Sequence, residues 1–199
     1  MTTGTTAPGA MPLDDFWQLI DAARMEVTKD WPFADALADL LAARSRREIV
    51  AYERTFTEVQ GALYRWDVWA AAYLIGDGCS DDAFLDFRAG VIALGRSWYH
   101  RVLASPDSLA QHPADMTGTP ERLEDLLFDE EANHAAAKAF PRAPGDEAWN
   151  EVAVEDDEDE DESEGRHRLE AAEAFDFDDN NEMRRRLPAL SALFLAAEG

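Results

Sequence analysis

The sequence predicts an all-α fold, a compact single-domain helical bundle with a disordered acidic linker and a short C-terminal helix docking back on the domain. Three observations lead there. Apolar residues recur at spacings of three and four in five successive segments, capping or turn residues separate those segments, and no stretch alternates with period two long enough to be a strand. A chain of 199 residues that is 46% hydrophobic and 10% aromatic can core one domain of this kind. The expected organisation is a disordered start over residues 1–12, a helical domain over 13–140, the linker over 141–182 and the last helix within 183–199.

In the first helix Phe16, Ile20, Ala23 and Val27 form the core face, Asp14 or Asp15 supplies the cap, and Pro32 ends it. Phe33, Leu37, Leu40 and Leu41 repeat the pattern in a short second helix. Ser45 followed by Glu48 is a capping box, and Ile49, Tyr52, Phe56, Val59 and Leu63 then mark the clearest amphipathic helix of the chain. Residues 66–75 read as a helix apolar nearly all round, which must be buried, and Gly76 and Gly78 provide the backbone freedom that stops it. Ser80, with Asp81 and Asp82 in the first turn, caps the next helix, predicted to run through Phe84, Phe87, Val91, Leu94, Trp98 and Val102 to Ser105–Pro106. Gly90 and Gly95 within it mark close packing against a neighbour. Smaller helices follow over Pro120–Phe128 and Glu130–Phe140.

After Pro141 the composition changes. Between Glu155 and Glu164 only Ser163 is uncharged, so this run buries too little apolar surface to offset the entropy of ordering. Beyond it, Arg184, Arg185 and Arg186 lead into Leu187, Leu190, Leu193, Phe194 and Leu195, an apolar helix expected to dock on the domain.

The net charge of −24 repels phosphate backbones and anionic head groups, which excludes nucleic acid and membrane as natural partners and points to a protein partner, a basic one being the charge complement. A single cysteine makes no internal disulfide, no CxxC pair exists, and the start of the chain carries no positive and apolar leader. The expected setting is the cytoplasm.

Trp66-Asp67, Trp69-Ala70-Ala71-Ala72-Tyr73, Gly78-Cys79-Ser80-Asp81-Asp82, Phe84, Phe87-Arg88, Gly95-Arg96 and Pro106-Asp107-Ser108-Leu109 stand in an order and spacing that resembles the bacterial domain-of-unknown-function family 4240. The resemblance covers roughly residues 13–135 and departs from many members at Asp77, which lies between Gly76 and Gly78. It implies an uncharacterised helical domain and draws attention to the turn after residue 75. It implies no reaction.

The chemistry-bearing candidates converge on that turn: Trp69, Asp77, Cys79, Asp81, Asp82, Arg88, Arg96 and Trp98. Cys79 precedes a helix N-terminus, where a thiolate is favoured, but His100 on the following helix is too distant to act as its base, so a small buried thiol is the simpler reading. Asp77, Asp81 and Asp82 lack calcium-loop order, since the twelfth position from Asp77 is Arg88; capping and an ion pair to Arg88 or Arg96 explain them. Glu131 and His134 have the Glu-x-x-His spacing of a di-iron site without the second copy such a site requires. No catalytic residue, metal or cofactor is assigned. Two functions remain: a non-enzymatic interaction or regulatory domain with an acidic arm, or an enzyme or small-ligand binder. The second would use Asp81 or Asp82 as acid or base and Arg88 or Arg96 to hold an anion, within an aromatic pocket between Trp69 and Trp98.

Overall fold

Helix α1 (Leu13–Glu26) and α2 (Phe33–Ala42) pack side by side and are joined by a tight turn in which Thr28 and Trp31 exchange backbone hydrogen bonds of 3.0 and 3.3 Å. The computed structural model describes residues 9–113, 121–152 and 174–195. The expectation for the end of α1 is corrected by that turn. Val27 is already extended and 44% exposed, and Pro32, with no N–H to leave unpaired, starts α2 instead of stopping α1. Pro12 occupies the N-cap position of α1, while Asp14 and Asp15 sit in its first turn, where they favour the positive end of the dipole without capping it.

Helix α3 (Arg46–Gly61) begins with both halves of its capping box in place and buries Ile49, Tyr52, Phe56 and Val59. Met11 is buried as well. Its backbone N–H bonds Ala51 O at 2.9 Å and its carbonyl accepts from the Thr55 hydroxyl at 2.8 Å, so the core reaches ahead of Leu13. Helix α4 (Trp66–Ile75) buries Val68, Ala70, Ala71, Ala72, Leu74 and Ile75.

The long helix expected after Ser80 is two helices, α5 (Asp81–Ala93) and α6 (Arg96–Ala104). Gly95 separates them at φ +89°, a left-handed conformation that an L side chain rarely adopts. It is thus a corner, and it also lies close against α1, where a Cβ on it would be 2.5 Å from Arg24 Nη1. Gly90 packs more tightly still, against backbone: a Cβ there would lie 2.6 Å from Leu127 Cα and nearer still to the Leu127 carbonyl, so α7 (Glu121–Leu127) crosses directly on the α5 backbone. The segment Glu130–Phe140 likewise divides, into α8 (Glu130–Asn133) and α9 (Ala135–Ala139), with His134 as the joint. Phe128 follows α7 and closes over Phe87.

Residues that the sequence assigns to the linker are packed on the core at both of its ends. Trp149, in α10 (Trp149–Val152), meets the Phe140 ring edge-on at 4.9 Å, and Phe175 and Phe177 pack against the core from the far end. The acidic run 155–164 lies outside the described residues, as does most of the start 1–12. The C-terminal segment docks as two short helices, α11 (Asn180–Arg186) and α12 (Pro188–Phe194), burying Met183, Leu187, Leu190 and Ser191. Leu187 cannot cap α12 with its side chain. The Asp107 carboxylate does so from the body, accepting from Ala189 N at 3.1 Å and Leu190 N at 2.9 Å. Among the described residues there is no strand, and the fold is all-α.

Candidate functional site

Apart from Asp67, which pairs with Arg65, helix α4 is apolar all round, but only part of its surface meets the interior. Trp66, Trp69 and Tyr73, spaced by three and four, stay half-buried on its outer face. Trp66 stacks on Trp69 with centroids 5.8 Å apart and planes 16° apart, and Trp69 stacks in turn on buried Phe84 at 4.7 Å and 13°. Across this face lies a short non-helical segment, Phe175-Asp176-Phe177-Asp178, hereafter the strap, which closes in a turn where Asp179 N bonds Asp176 O at 3.3 Å and Asp178 N bonds Asp176 Oδ1 at 2.9 Å. Its two phenylalanines are half-buried and its two aspartates exposed. The Phe177 ring lies 5.7 Å from Trp66, 6.5 Å from Trp69 and 5.4 Å from Tyr73, and the Tyr73 hydroxyl donates to Asp178 Oδ1 at 2.5 Å. Phe175 packs edge-on to Phe177 and carries the Arg186 guanidinium over its ring at 4.2 Å. Arg185 and Arg186 also hold the Glu182 carboxyl down at about 2, chiefly through hydrogen bonds. The strap and α11 are thus tied together.

The turn after α4 is built by its backbone. Gly78 N bonds Tyr73 O at 2.9 Å, Asp77 takes φ +49° and Gly78 φ +121°. Ser80 then caps α5 as expected, accepting from Ala83 N at 3.2 Å. Asp77, Asp81 and Asp82 are all exposed, the last two in the first turn of α5 where the helix dipole favours them. Cys79 is half-buried. Trp69 Nε1 donates to its carbonyl at 3.1 Å, and its thiol donates to Ser80 O at 3.5 Å. Burial pushes the thiol up to about 12, and the Asp81 and Asp86 charges add to that, so the thiolate is disfavoured despite the helix start beside it.

The other site residues are placed apart from this turn. Arg88 is only 8% exposed. It donates to Phe84 O and Gln60 O, both at 3.3 Å, and its guanidinium lies over the rings of Tyr64 and Phe84 at 4.7 and 5.0 Å, so it works as an interior brace. Arg96 reaches α1 and pairs with Asp14 at 2.7 Å in the open. Trp98 packs edge-on to His112 at 4.6 Å and under the Arg101 guanidinium at 4.7 Å. Trp69 and Trp98 therefore serve different surroundings, and the aromatic neighbours of Trp69 are Trp66, Phe84, Tyr64 and Phe177. His100 packs against Trp17 and Tyr99.

The Glu-x-x-His segment resolves into structural contacts. Glu131 pairs with Lys138, and His134 is the joint between α8 and α9. Asn133 completes a polar seam, donating to Asp86 at 2.9 Å and accepting from Gln60 Nε2 at 2.8 Å. Burial raises the Asp86 carboxyl, with the nearby Glu130 charge acting in the same sense and the Asn133 amide opposing it. Among the described residues no group of three or more His, Cys, Asp and Glu is placed to hold a metal ion, and no helix is long and apolar enough to cross a membrane.

Sequence reasoning missed the strap. Its signal was two phenylalanines set among aspartates, Phe175-Asp176-Phe177-Asp178-Asp179, in a polar and alanine-rich stretch that offers no other aromatic residue. Fold and site together define an all-α domain with a half-buried aromatic helix face on which a short non-helical segment lies. The chain belongs to the family described as Protein of unknown function (DUF4240), whose model matches residues 11–142. No curated protein and no solved structure matches the chain significantly. Trp66, Trp69, Tyr73 and Asp107 fall inside the matched region, whereas the strap, α11 and α12 lie beyond it.

Proposed function

We propose that this protein is a non-enzymatic interaction module, and that the α4 face made by Trp66, Trp69 and Tyr73 is where it receives a short aromatic segment of another protein. The observation that carries this reading is the strap itself: a piece of chain from beyond the family region laid on that face by ring contacts and one hydroxyl–carboxylate bond. An enzymatic use of the turn has less support. The Cys79 thiol is held protonated, and Arg88 is engaged with backbone carbonyls and two rings. The excess of acidic charge disfavours nucleic acid and anionic membrane, which leaves protein as the partner class, and the single cysteine suits a cytoplasmic setting.

The test uses a labelled synthetic peptide of residues 171–181 and the full chain carrying F175A and F177A, whose helical content is first confirmed by circular dichroism. The folded double variant is expected to bind the peptide saturably, with a change in tryptophan fluorescence. The unmodified chain, whose face is occupied, is expected to bind about tenfold more weakly. A folded double variant that fails to bind removes the reading.

A further inference from the structure

The strap is the first part of an arm, residues 175–195, that continues through α11 into α12, and each part of the arm holds the next. The Asp179 carboxylate that ends the strap caps α11, accepting from Asn181 N at 2.9 Å and Glu182 N at 3.2 Å, while Arg186 at the other end of α11 reaches back over the Phe175 ring. Helices α11 and α12 share Leu187 as their joint, and α12 packs on α4 and on the 3-10 turn Pro106–Gln111. From that turn Asp107 accepts from the backbone N–H groups of Ala189 and Leu190, so the body supplies the cap that the arm itself does not. The seat is not wholly favourable. The hydroxyls of Ser191, a residue only 3% exposed, and of Ser108 beside Asp107 are buried with no hydrogen-bond partner among the described residues. An unpaired hydroxyl in such a seat favours release, because water satisfies it once the helix lifts.

We infer that Asp107 is the latch of a gate: by capping α12 it holds the arm, and through α11 it holds the strap over Trp66, Trp69 and Tyr73. This rests on the interaction reading above and adds how the site is opened and closed. Burial of Met183, Leu187 and Leu190 and the two bonds to Asp107 favour the closed arm, and the unpaired Ser191 hydroxyl opposes it. The balance sets the fraction of molecules whose aromatic face is free. A partner segment binds only that fraction, so its apparent affinity rises in proportion as the latch weakens. Asp107 bonds the helix end of the arm and the α4 rings hold the strap end, so an effect that passes from one to the other travels through α11.

The test compares D107A, D107N and S191A in the full chain by amide hydrogen exchange over residues 175–179 and 191–195, with unchanged exchange in α5 as the sign of an intact body. D107A is expected to speed exchange about fivefold in both segments, the factor of one lost cap. D107N keeps an accepting side-chain oxygen and is expected to stay within about twofold of the parent. S191A removes an unpaired hydroxyl and should move the same amides the other way, to exchange about threefold slower. The labelled peptide of residues 171–181 follows the same order, binding D107A about fivefold more tightly than the unmodified chain. Exchange that quickens over 191–195 in D107A but not over 175–179 overturns the gate, as does an S191A chain whose arm exchanges faster than the parent's. Peptide that binds the F175A/F177A chain but binds D107A no better than the parent overturns the gate and leaves the interaction module standing. Peptide that fails on the F175A/F177A chain removes the interaction reading, and the gate with it.

Discussion

Helices α4 and α5 are joined by five residues, yet they meet their neighbours in opposite ways. On α5 the contact is backbone to backbone. Gly90 lies under Leu127 with no room for a methyl group, Arg88 is enclosed by two carbonyls and two rings, and Asp86 joins Asn133 and Gln60 in a polar seam. On α4 the contact with the strap is ring to ring at centroid separations above 5 Å, between half-buried side chains, with the Tyr73–Asp178 hydrogen bond in the open. Close-packed seams of the first kind cannot part without unfolding, because many small dispersion and hydrogen-bond terms are lost together. Contacts of the second kind can open locally at a cost of one or two side chains. A domain that must be stable and also exchange an occupant would divide these tasks between two helices.

The largest test of that contrast is Gly90→Ala. The added methyl has no free space and its obstacle is backbone, so the α5–α7 crossing must widen. We expect a loss of about 3 kcal/mol, at the upper end of overpacking effects, read as a drop in the urea midpoint with an unchanged slope. A loss below about 0.5 kcal/mol would show that the seam yields as easily as the strap.

Phe177→Ala should do much less, and do it locally. Removing one half-buried ring is expected to cost about 1 kcal/mol, while hydrogen exchange quickens over residues 175–179 and stays unchanged in α5. Exchange rising equally in both helices would mean that the strap and the seam form one cooperative unit, and the division of tasks would fail.

The same contrast explains what was legible in the sequence. The capping box at Ser45 and Glu48, the Ser80 cap and the all-round apolarity of α4 are local signals, and each sits where it was read. Gly90 was recognised as a close approach, because an unneeded glycine inside a helix has few other uses. Gly95 was not recognised as a corner, since the apolar period continues through it from Leu94 to Trp98 and only its positive φ betrays the break. Arg88 and Arg96 looked equivalent in sequence, eight residues apart on one expected helix. The corner at Gly95 turns Arg96 toward Asp14 and leaves Arg88 inside. The strap was hidden for another reason. Its composition resembles the linker around it, and its docking depends on a face that exists only after α4 has packed.

Cys79 belongs to neither region, being in the link between them, and its thiol sharpens the comparison by reporting how far that link opens. The expectation from sequence was a mostly buried thiol. It is half-buried, yet burial still pushes it up to about 12 from an ordinary value of 9.0. At pH 8 such a thiol is ionised in only about one molecule in ten thousand, against roughly one in ten for a free cysteine, and labelling follows the thiolate. We expect native Cys79 to react about a thousandfold more slowly than in urea, with no change in stability for Cys79→Ser near neutral pH beyond a few tenths of a kcal/mol. The alkaline limb then has a fixed sign. The unfolded chain loses the thiol proton first, so this contribution to stability is complete below about pH 9 and is lost as pH rises toward 12. Burial also raises the Tyr52 and Tyr99 hydroxyls, which act over an overlapping alkaline range, so the measurement is the difference between the parent and Cys79→Ser. A parent that loses more stability than the serine variant between pH 9 and 12 supports a closed link. Equal slopes, together with rapid labelling of the folded protein at pH 8, would mean that the turn opens with the strap, and that the boundary between the fixed and the separable region lies at Ser80 instead of at Ile75.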